Sequence, residues 1–284
     1  MAADVVITEF TDPACPWAYS AEPFRHRLRW LYGDDAIDWK VNVVVLSESP
    51  EEYEEKGMDT GKLKAGYEKI SREHGMPIDT TERPRMVATV VACRAIVAAR
   101  LYAPELERRL LRALRVLCFE GLLIDEPETI AAAATRAGLE PDDLQGWMAS
   151  DDVEQVLRED MARAREPMPA ARVLDDRLAN WSGGRRYTCP SYEVERVSDG
   201  VRISVPGFQP FAAYDVLLAN LVPDLGRRGE PVGVQEVLAW AGFPLATREV
   251  AEICELNDRD AREQLGHVAL EHHVGSDGFW SLAA

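Results

Sequence analysis

Phe10-Thr11-Asp12-Pro13-Ala14-Cys15-Pro16-Trp17-Ala18-Tyr19 is the stretch on which the fold turns. Before it, residues 4–10, Asp-Val-Val-Ile-Thr-Glu-Phe, are rich in β-branched types and alternate weakly, which predicts a strand ending at the turn chemistry of Thr11-Asp12-Pro13. After it, Trp17, Phe24, Leu28 and Leu31 recur at helical spacing as far as Tyr32, and Asp34-Asp35 end the run. A second strand is expected over Ile37 to Leu46, whose apolar centre Val43-Val44-Val45 suits a strand covered on both faces. The opening is therefore a βαβ unit with Cys15 at the head of its helix. Unpaired backbone N–H groups and the helix dipole favour a thiolate at that place. Pro16 suits the first helical turn, where its missing N–H has no partner to lose.

From Pro50 to about Arg165 the pattern turns helical: Val87 to Leu101, Leu106 to Leu123, Glu128 to Ala137 and Asp152 to Ala164, with Pro127 and Pro141-Asp142 at helix entries. Ala171 to Arg186, polar and carrying Gly183-Gly184, reads as a surface loop. Ser191 to Val197 and Val201 to Val205 read as strands joined by the hairpin signal Ser198-Asp199-Gly200, and an amphipathic helix follows from Pro210 to Leu221. The order is βαβ, helical insertion, ββα, which is that of a thioredoxin core. Beyond the linker-like Gly226-Arg227-Arg228-Gly229, helices are expected near Val232 to Ala241, Thr247 to Glu255 and Asp258 to His272, with an aromatic strand beside Asp277-Gly278. Three helices and a β-wing resemble a winged helix. The expected class is α/β: a thioredoxin fold over residues 1–225 with an all-helical insertion at about 50–170, and a winged-helix-like α+β module over 226–284.

The motif resembles the DsbA-like family, including its cytoplasmic branch of dithiol-disulfide isomerase-type proteins. Members carry Asp-Pro-x-Cys-Pro-Trp-Cys; here Asp12, Pro13, Cys15, Pro16 and Trp17 match, and Ala18 replaces the second cysteine. The resemblance continues through Phe119-Glu120-Gly121, Ala137-Gly138-Leu139 and Glu159-Asp160 to the Pro190 strand, so it covers roughly residues 4–222. It implies that Thr188-Cys189-Pro190 is the cis-proline loop facing the active-site cysteine, which makes Cys189 a neighbour of Cys15 and lets Pro16, Trp17, Thr188 and Pro190 border the substrate groove.

Disulfide exchange passes through a mixed disulfide that a second thiol resolves. With alanine at position 18, three outcomes remain open: Cys189 resolves the intermediate, an external thiol such as glutathione does, or the reaction has been lost. The leading expectation is thiol–disulfide exchange or isomerisation at Cys15 on a protein or small-molecule thiol or disulfide, with no bound cofactor and glutathione as candidate co-substrate. Kappa-type glutathione transferases and hydroxychromene carboxylate isomerases resemble the same architecture and supply a glutathione-dependent alternative. A non-catalytic binding module is the third reading, and Ala18 is its best support.

The remaining composition narrows the partners. A formal charge of −17 spread along 284 residues disfavours phosphate backbones and anionic membranes. Residues 227–284 hold five arginines against ten acidic residues, a local charge of −5, so the terminal module is expected to pack or to form a homodimer rather than to bind DNA. The Met-Ala-Ala-Asp start has no signal-peptide pattern, and no apolar run approaches bilayer length, which points to a cytoplasmic protein. Five cysteines lie at 15, 93, 118, 189 and 254 without a CxxC pair. Cys93, Cys118 and Cys254 fall on apolar helical stretches and read as core. His26 reads as a solvated helix-face residue and His272-His273 as surface. Glu51-Glu52, Glu54-Glu55 and Lys56 read as a solvated charge run, and no metal ligand set is evident.

Overall fold

The computed structural model describes residues 3–283; Met1 and Ala2, part of the stretch read for a leader, lie outside the described residues. The chain starts with β1 (Val5–Thr11), α1 (Pro16–Ser20), α2 (Glu22–Ala36) and β2 (Ile37–Val43). The expected single first helix is thus two pieces. Ala21 joins them with right-handed backbone, and Gly33 (φ 75°, ψ 164°) breaks the helical run near Tyr32, where the sequence places its end.

The helical insertion follows as α3 (Glu51–Glu55), α4 (Thr60–His74), α5 (Thr89–Tyr102), α6 (Glu107–Phe119), α7 (Pro127–Ala137), α8 (Pro141–Met148), α9 (Asp151–Ala164) and α10 (Pro169–Arg172). The Glu54 side chain of the charge run is outside the described residues. Small and branched residues of α5 (Ala92, Cys93, Ala95, Ile96, Ala99) pack with Leu110, Leu114 and Leu117 of α6 and with Val41, Val43 and Val45, forming the largest apolar cluster. This places the insertion against one face of the βαβ unit.

The stretch expected as a surface loop is instead a hairpin, β3 (Leu178–Trp181) and β4 (Gly184–Tyr187). The signal for it is Gly183: a Cβ there would stand 2.3 Å from the Trp181 ring, so any other residue would push that indole out of its place over the turn. Next come β5 (Ser191–Arg196), β6 (Arg202–Val205) and α11 (Phe211–Leu221). The sheet runs β2-β1-β5-β6, with β1 and β2 parallel and β5 and β6 antiparallel to their neighbours. This is the thioredoxin fold, entered by a βαβ unit and closed by a ββα unit.

The last stretch forms α12 (Val234–Ala241), β7 (Leu245–Ala246), α13 (Thr247–Ile253), α14 (Asp258–Val268), β8 (Ala269–Val274) and β9 (Asp277–Leu282). His272 and His273 therefore lie on β8 rather than at a helix end. Val237, Leu238, Val250, Ile253 and Leu265 share one apolar cluster with Leu28 and Leu31 of α2 and Leu218 of α11. The terminal helices bury their apolar stripe against the thioredoxin unit of the same chain, so that stripe is already covered. No described helix is long and apolar enough to cross a membrane.

Candidate functional site

Cys15 is the N-cap of α1 (φ −79°, ψ 113°), with Pro16 opening the helix. Asp12, fully buried, pins the preceding loop. Its Oδ1 accepts the Ala14 N–H at 2.9 Å, its Oδ2 accepts the Leu46 N–H at 2.9 Å, and its backbone carbonyl accepts the Cys15 N–H at 3.1 Å. The Cys93 thiol also donates to Asp12 Oδ2, at 3.6 Å. The loop is thus tied to the end of β2 and to α5.

Facing it, the Cys189–Pro190 peptide is cis. Ser191 Oγ donates to the Thr188 carbonyl at 2.8 Å and accepts the Gly207 N–H at 3.1 Å, while Thr188 Oγ1 donates to the Arg177 carbonyl at 3.1 Å. Cys15 and Cys189, 174 positions apart, meet: the Cys15 thiol donates to the Cys189 carbonyl at 3.2 Å. Both sulfurs are free thiols and both are buried, in a small pocket with Phe10, Ala18, Val44 and Tyr187. Ala18, completely buried, puts a methyl group where the resemblance has a second sulfur.

The protonated Cys15 thiol gives its proton to a carbonyl, but its thiolate has better partners. A hydrogen bond from the Cys189 thiol holds the Cys15 pKa below the ordinary thiol value, helped by the Ala18 and Trp17 N–H groups at the helix start, against burial and the Asp12 charge. Burial pushes the Cys189 thiol well up, and its hydrogen bond to Cys15 pushes it further. The pair is asymmetric: one sulfur is prepared to ionise and the other to keep its proton. Burial also raises Cys93 well above the usual range, Cys118 to about 12 and Cys254 to about 11. Cys93 and Cys118 are core residues and Cys254 is half-buried.

Trp17 is the most open residue here, 38% exposed. Its ring stands edge-on to His74 (centroids 5.1 Å apart) and to Phe208 (5.6 Å), and Phe208 also touches His74 at 4.8 Å. The sequence pointed to Trp17 but not to these two. His74 ends α4, and Gly75 in the left-handed region (φ 75°) turns the chain just beyond it, its N–H bonding the Ser71 carbonyl at 2.9 Å. A helix-stop glycine is a structural signal and says nothing of the aromatic rim it delivers.

A second polar centre lies apart from the thiols. Arg115, with no solvent exposure, donates to Glu9 at 2.7 Å and also to Glu22 and Thr11; Arg25 pairs with Glu9 and Glu22. Arg112 holds both Glu249 oxygens at 2.7 Å. His26, expected on a solvated face, is buried 3.1 Å from Glu249 because α13 covers it. Guanidinium charge holds Glu22 well below the carboxylate range, and Glu9 and Glu249 below it, despite burial, which acts the other way. Glu22, His26 and Glu249 bring donor atoms within 4.8 Å of one another. Their carboxylates are already neutralised by Arg25, Arg112 and Arg115, so a dication would enter a field of three guanidinium groups; the donor set suits an ion-pair network and not a metal.

Residues 6–168 match the family model described as DSBA-like thioredoxin domain. The matched span includes the Cys15 motif and the insertion through α9, and stops before α10 and the Pro190 strand. Over 94% of this chain and 83% of its own length, a protein named ClpXP adapter protein SpxH, from Shouchella clausii, is similar at 25% identity. Among solved structures, a candidate protein disulfide isomerase from Nitrosomonas europaea is similar with TM-score 0.59 and 18% identity, covering 78% of this chain and all of that one. The cytosolic disulfide reductase DsbM from Pseudomonas aeruginosa is similar with TM-score 0.53 and 16% identity over 76% of this chain and all of that one.

Proposed function

The chain belongs to the DsbA-like thioredoxin family, and from that premise we propose that it carries out thiol–disulfide exchange with Cys15 as nucleophile and Cys189 as the thiol that resolves the intermediate. The observation that carries this reading is the direct contact of the two residues at the head of α1, with pKa shifts of opposite sign. The Cys15 thiolate attacks one sulfur of a substrate disulfide, forming a mixed disulfide and expelling the other substrate sulfur as thiolate. Once Cys15 is in a disulfide, it no longer holds the Cys189 proton. Cys189 then loses its proton and attacks the Cys15 sulfur, forming a Cys15–Cys189 disulfide and releasing the second substrate thiolate. The substrate gains two electrons, the Cys189 proton going to a departing substrate thiolate, and the protein loses two; two external thiols, glutathione being the candidate, return them in two exchange steps and leave as one disulfide. Pro16, Trp17, Thr188 and Pro190 border the groove in which the substrate sulfur approaches.

The test is mass spectrometry of the protein after treatment with a model disulfide. Wild type should accumulate a Cys15–Cys189 crosslink, Cys189→Ser should stop at the mixed disulfide on position 15, and Cys15→Ser should give neither. Mixed disulfide persisting in wild type at the level of the Cys189→Ser variant would hand resolution to an outside thiol and remove Cys189 from the mechanism.

A second reading has one observation of its own. The relative named as an adapter is similar over nearly the whole chain, terminal module included, and Ala18 removes the usual second thiol, as a protein-binding role would allow. On this reading a Cys15→Ala protein keeps its cellular function and its partners; loss of both on that substitution decides for catalysis.

A further inference from the structure

β2 is an edge strand, and its outer side is only half covered. The Ala36 carbonyl and the Val44 N–H both bond toward β1 (Asp4 N–H at 3.0 Å, Thr11 carbonyl at 2.8 Å), while the Val43 N–H points the other way, to Asp160 of α9 at 2.8 Å. In a parallel strand the hydrogen-bonding side alternates residue by residue. Trp39 and Val41 therefore aim their N–H and carbonyl groups outward with Val43, and among the described residues these groups have no partner. Beside them opens a cleft of about 680 Å³ between α2 and α6, bordered by Trp39, Lys40 and Val41 in succession. Consecutive side chains of a strand point to opposite faces, so three in a row reach one cleft because the backbone edge faces it.

The wall carries a cationic excess, seven Lys and Arg side chains against the five carboxylates of Glu9, Glu22, Asp34, Glu105 and Glu120, although the chain as a whole carries −17. Arg108 and Arg109 of α6, both exposed, and Arg29 of α2 line the opening. Arg29 takes both oxygens of Asp34 (2.8 and 2.6 Å) and leaves Arg108 only a 3.5 Å contact with the same carboxylate. Arg109 has no ion-pair partner among the described residues. Burial and the neighbouring Arg29 charge hold the Arg108 pKa below its ordinary value, the mark of a cation short of counter-charge. Phe243 and Phe279 supply apolar surface in the same cleft.

We propose that this cleft binds an extended acidic peptide of a partner protein, which adds as a strand to the free edge of β2 at Trp39 and Val41 while its carboxylates pair with Arg108 and Arg109. Edge addition gives affinity through main-chain hydrogen bonds, and alternate side chains give selectivity. The site is independent of the thiol chemistry, since Asp160 separates it along β2 from the Cys15 loop.

The test uses the full chain and a fluorescein-labelled hexapeptide of alternating glutamate and valine, read by fluorescence polarisation. Saturable binding that weakens with salt is expected, reduced at least ten-fold in an Arg108→Glu/Arg109→Glu variant and by N-methylation of alternate peptide nitrogens. The iodoacetamide reactivity of Cys15 should be the same in that variant, so the outcome stands apart from the fate of the thiol mechanism. Absence of saturable binding, or equal binding by the variant, overturns the proposal. Equal binding of the N-methylated peptide overturns the strand addition and leaves a site for small organic anions.

Discussion

Glu9 and Phe10 are adjacent on β1, and the strand's alternation sends them to two buried regions of opposite character. Phe10 borders the thiol pocket, where a negative charge is favoured by hydrogen bonds alone, from Cys189 and the N–H groups of Ala18 and Trp17. Glu9 enters a network in which carboxylates are held ionised by the full charges of Arg25 and Arg115. Hydrogen-bond donors can be given up when the charge leaves, which is what the proposed exchange would ask of Cys15. Guanidinium groups cannot be discharged at any ordinary pH, which suits charges meant to stay. On the proposed function the first region would serve turnover, while the second docks α6 and α13 onto the thioredoxin unit.

The contrast breaks most visibly at Arg115. Replacing it by methionine strands Glu9 and Glu22 without their central cation, and removing one partner of a buried pair costs about 3–5 kcal/mol. Calorimetry should show melting lowered by more than about 6 °C; a change under about 1 kcal/mol would mean that the network does not hold the fold. At the thiol pocket Cys189→Ala removes the first donor to the Cys15 thiolate. Hydrogen bonds to charged groups contribute about 1.5–3 kcal/mol, so iodoacetamide labelling of Cys15 at neutral pH should slow by about ten-fold or more, with melting little changed. Unaltered labelling would assign the low Cys15 pKa to the helix start alone.

Acidification separates the regions further. Burial lowers the His26 pKa against the opposing pull of Glu249 and Glu22, and Arg112 lowers it too. Since the folded value is depressed, its contribution to stability is complete above the unfolded value near 6.5 and is lost as pH falls from there through the folded value. Glu9, Glu22 and Glu249, also depressed, add loss only below the ordinary carboxylate range. Stability measured by denaturant should begin to fall below about pH 6.5, and His26→Gln should make that first segment shallower, with His74, also lowered by burial, contributing the remainder. A wild-type profile flat down to pH 5 would show His26 to be freely protonated in place. The smallest effect is expected at the rim. If the exposed Trp17 ring packs on substrate, such an aromatic contact contributes about 0.5–1.5 kcal/mol, so Trp17→Ala should raise KM for a disulfide substrate a few-fold while leaving Cys15 alkylation untouched; a fall in kcat with constant KM would place Trp17 in the chemistry instead.

The thiol side was legible in the sequence for a physical reason. Pro13, Cys15, Pro16 and Trp17 are adjacent, and the punctuation of strand, loop and helix start is local chemistry. Cys189 came only through the family resemblance, because no spacing joins positions 15 and 189. The charged region could not be read at all. Glu22, His26 and Arg115 sit on helices where such residues are usually solvated, and their burial depends on α13 and α6 arriving from elsewhere in the chain. The β3–β4 hairpin was missed because its polar composition hides the one constraint that matters, the room that Gly183 leaves for Trp181.

The meeting of positions 15 and 189 carries a mechanical consequence. A crosslink there would close the whole helical insertion into a ring whose joined ends lie 174 positions apart, and ring closure on that scale removes about 5 kcal/mol of chain entropy from the denatured ensemble. The redox state of one sulfur pair would then be written into how firmly the whole domain resists unfolding, so that a proteolysis or melting curve alone could report which way the electrons last moved.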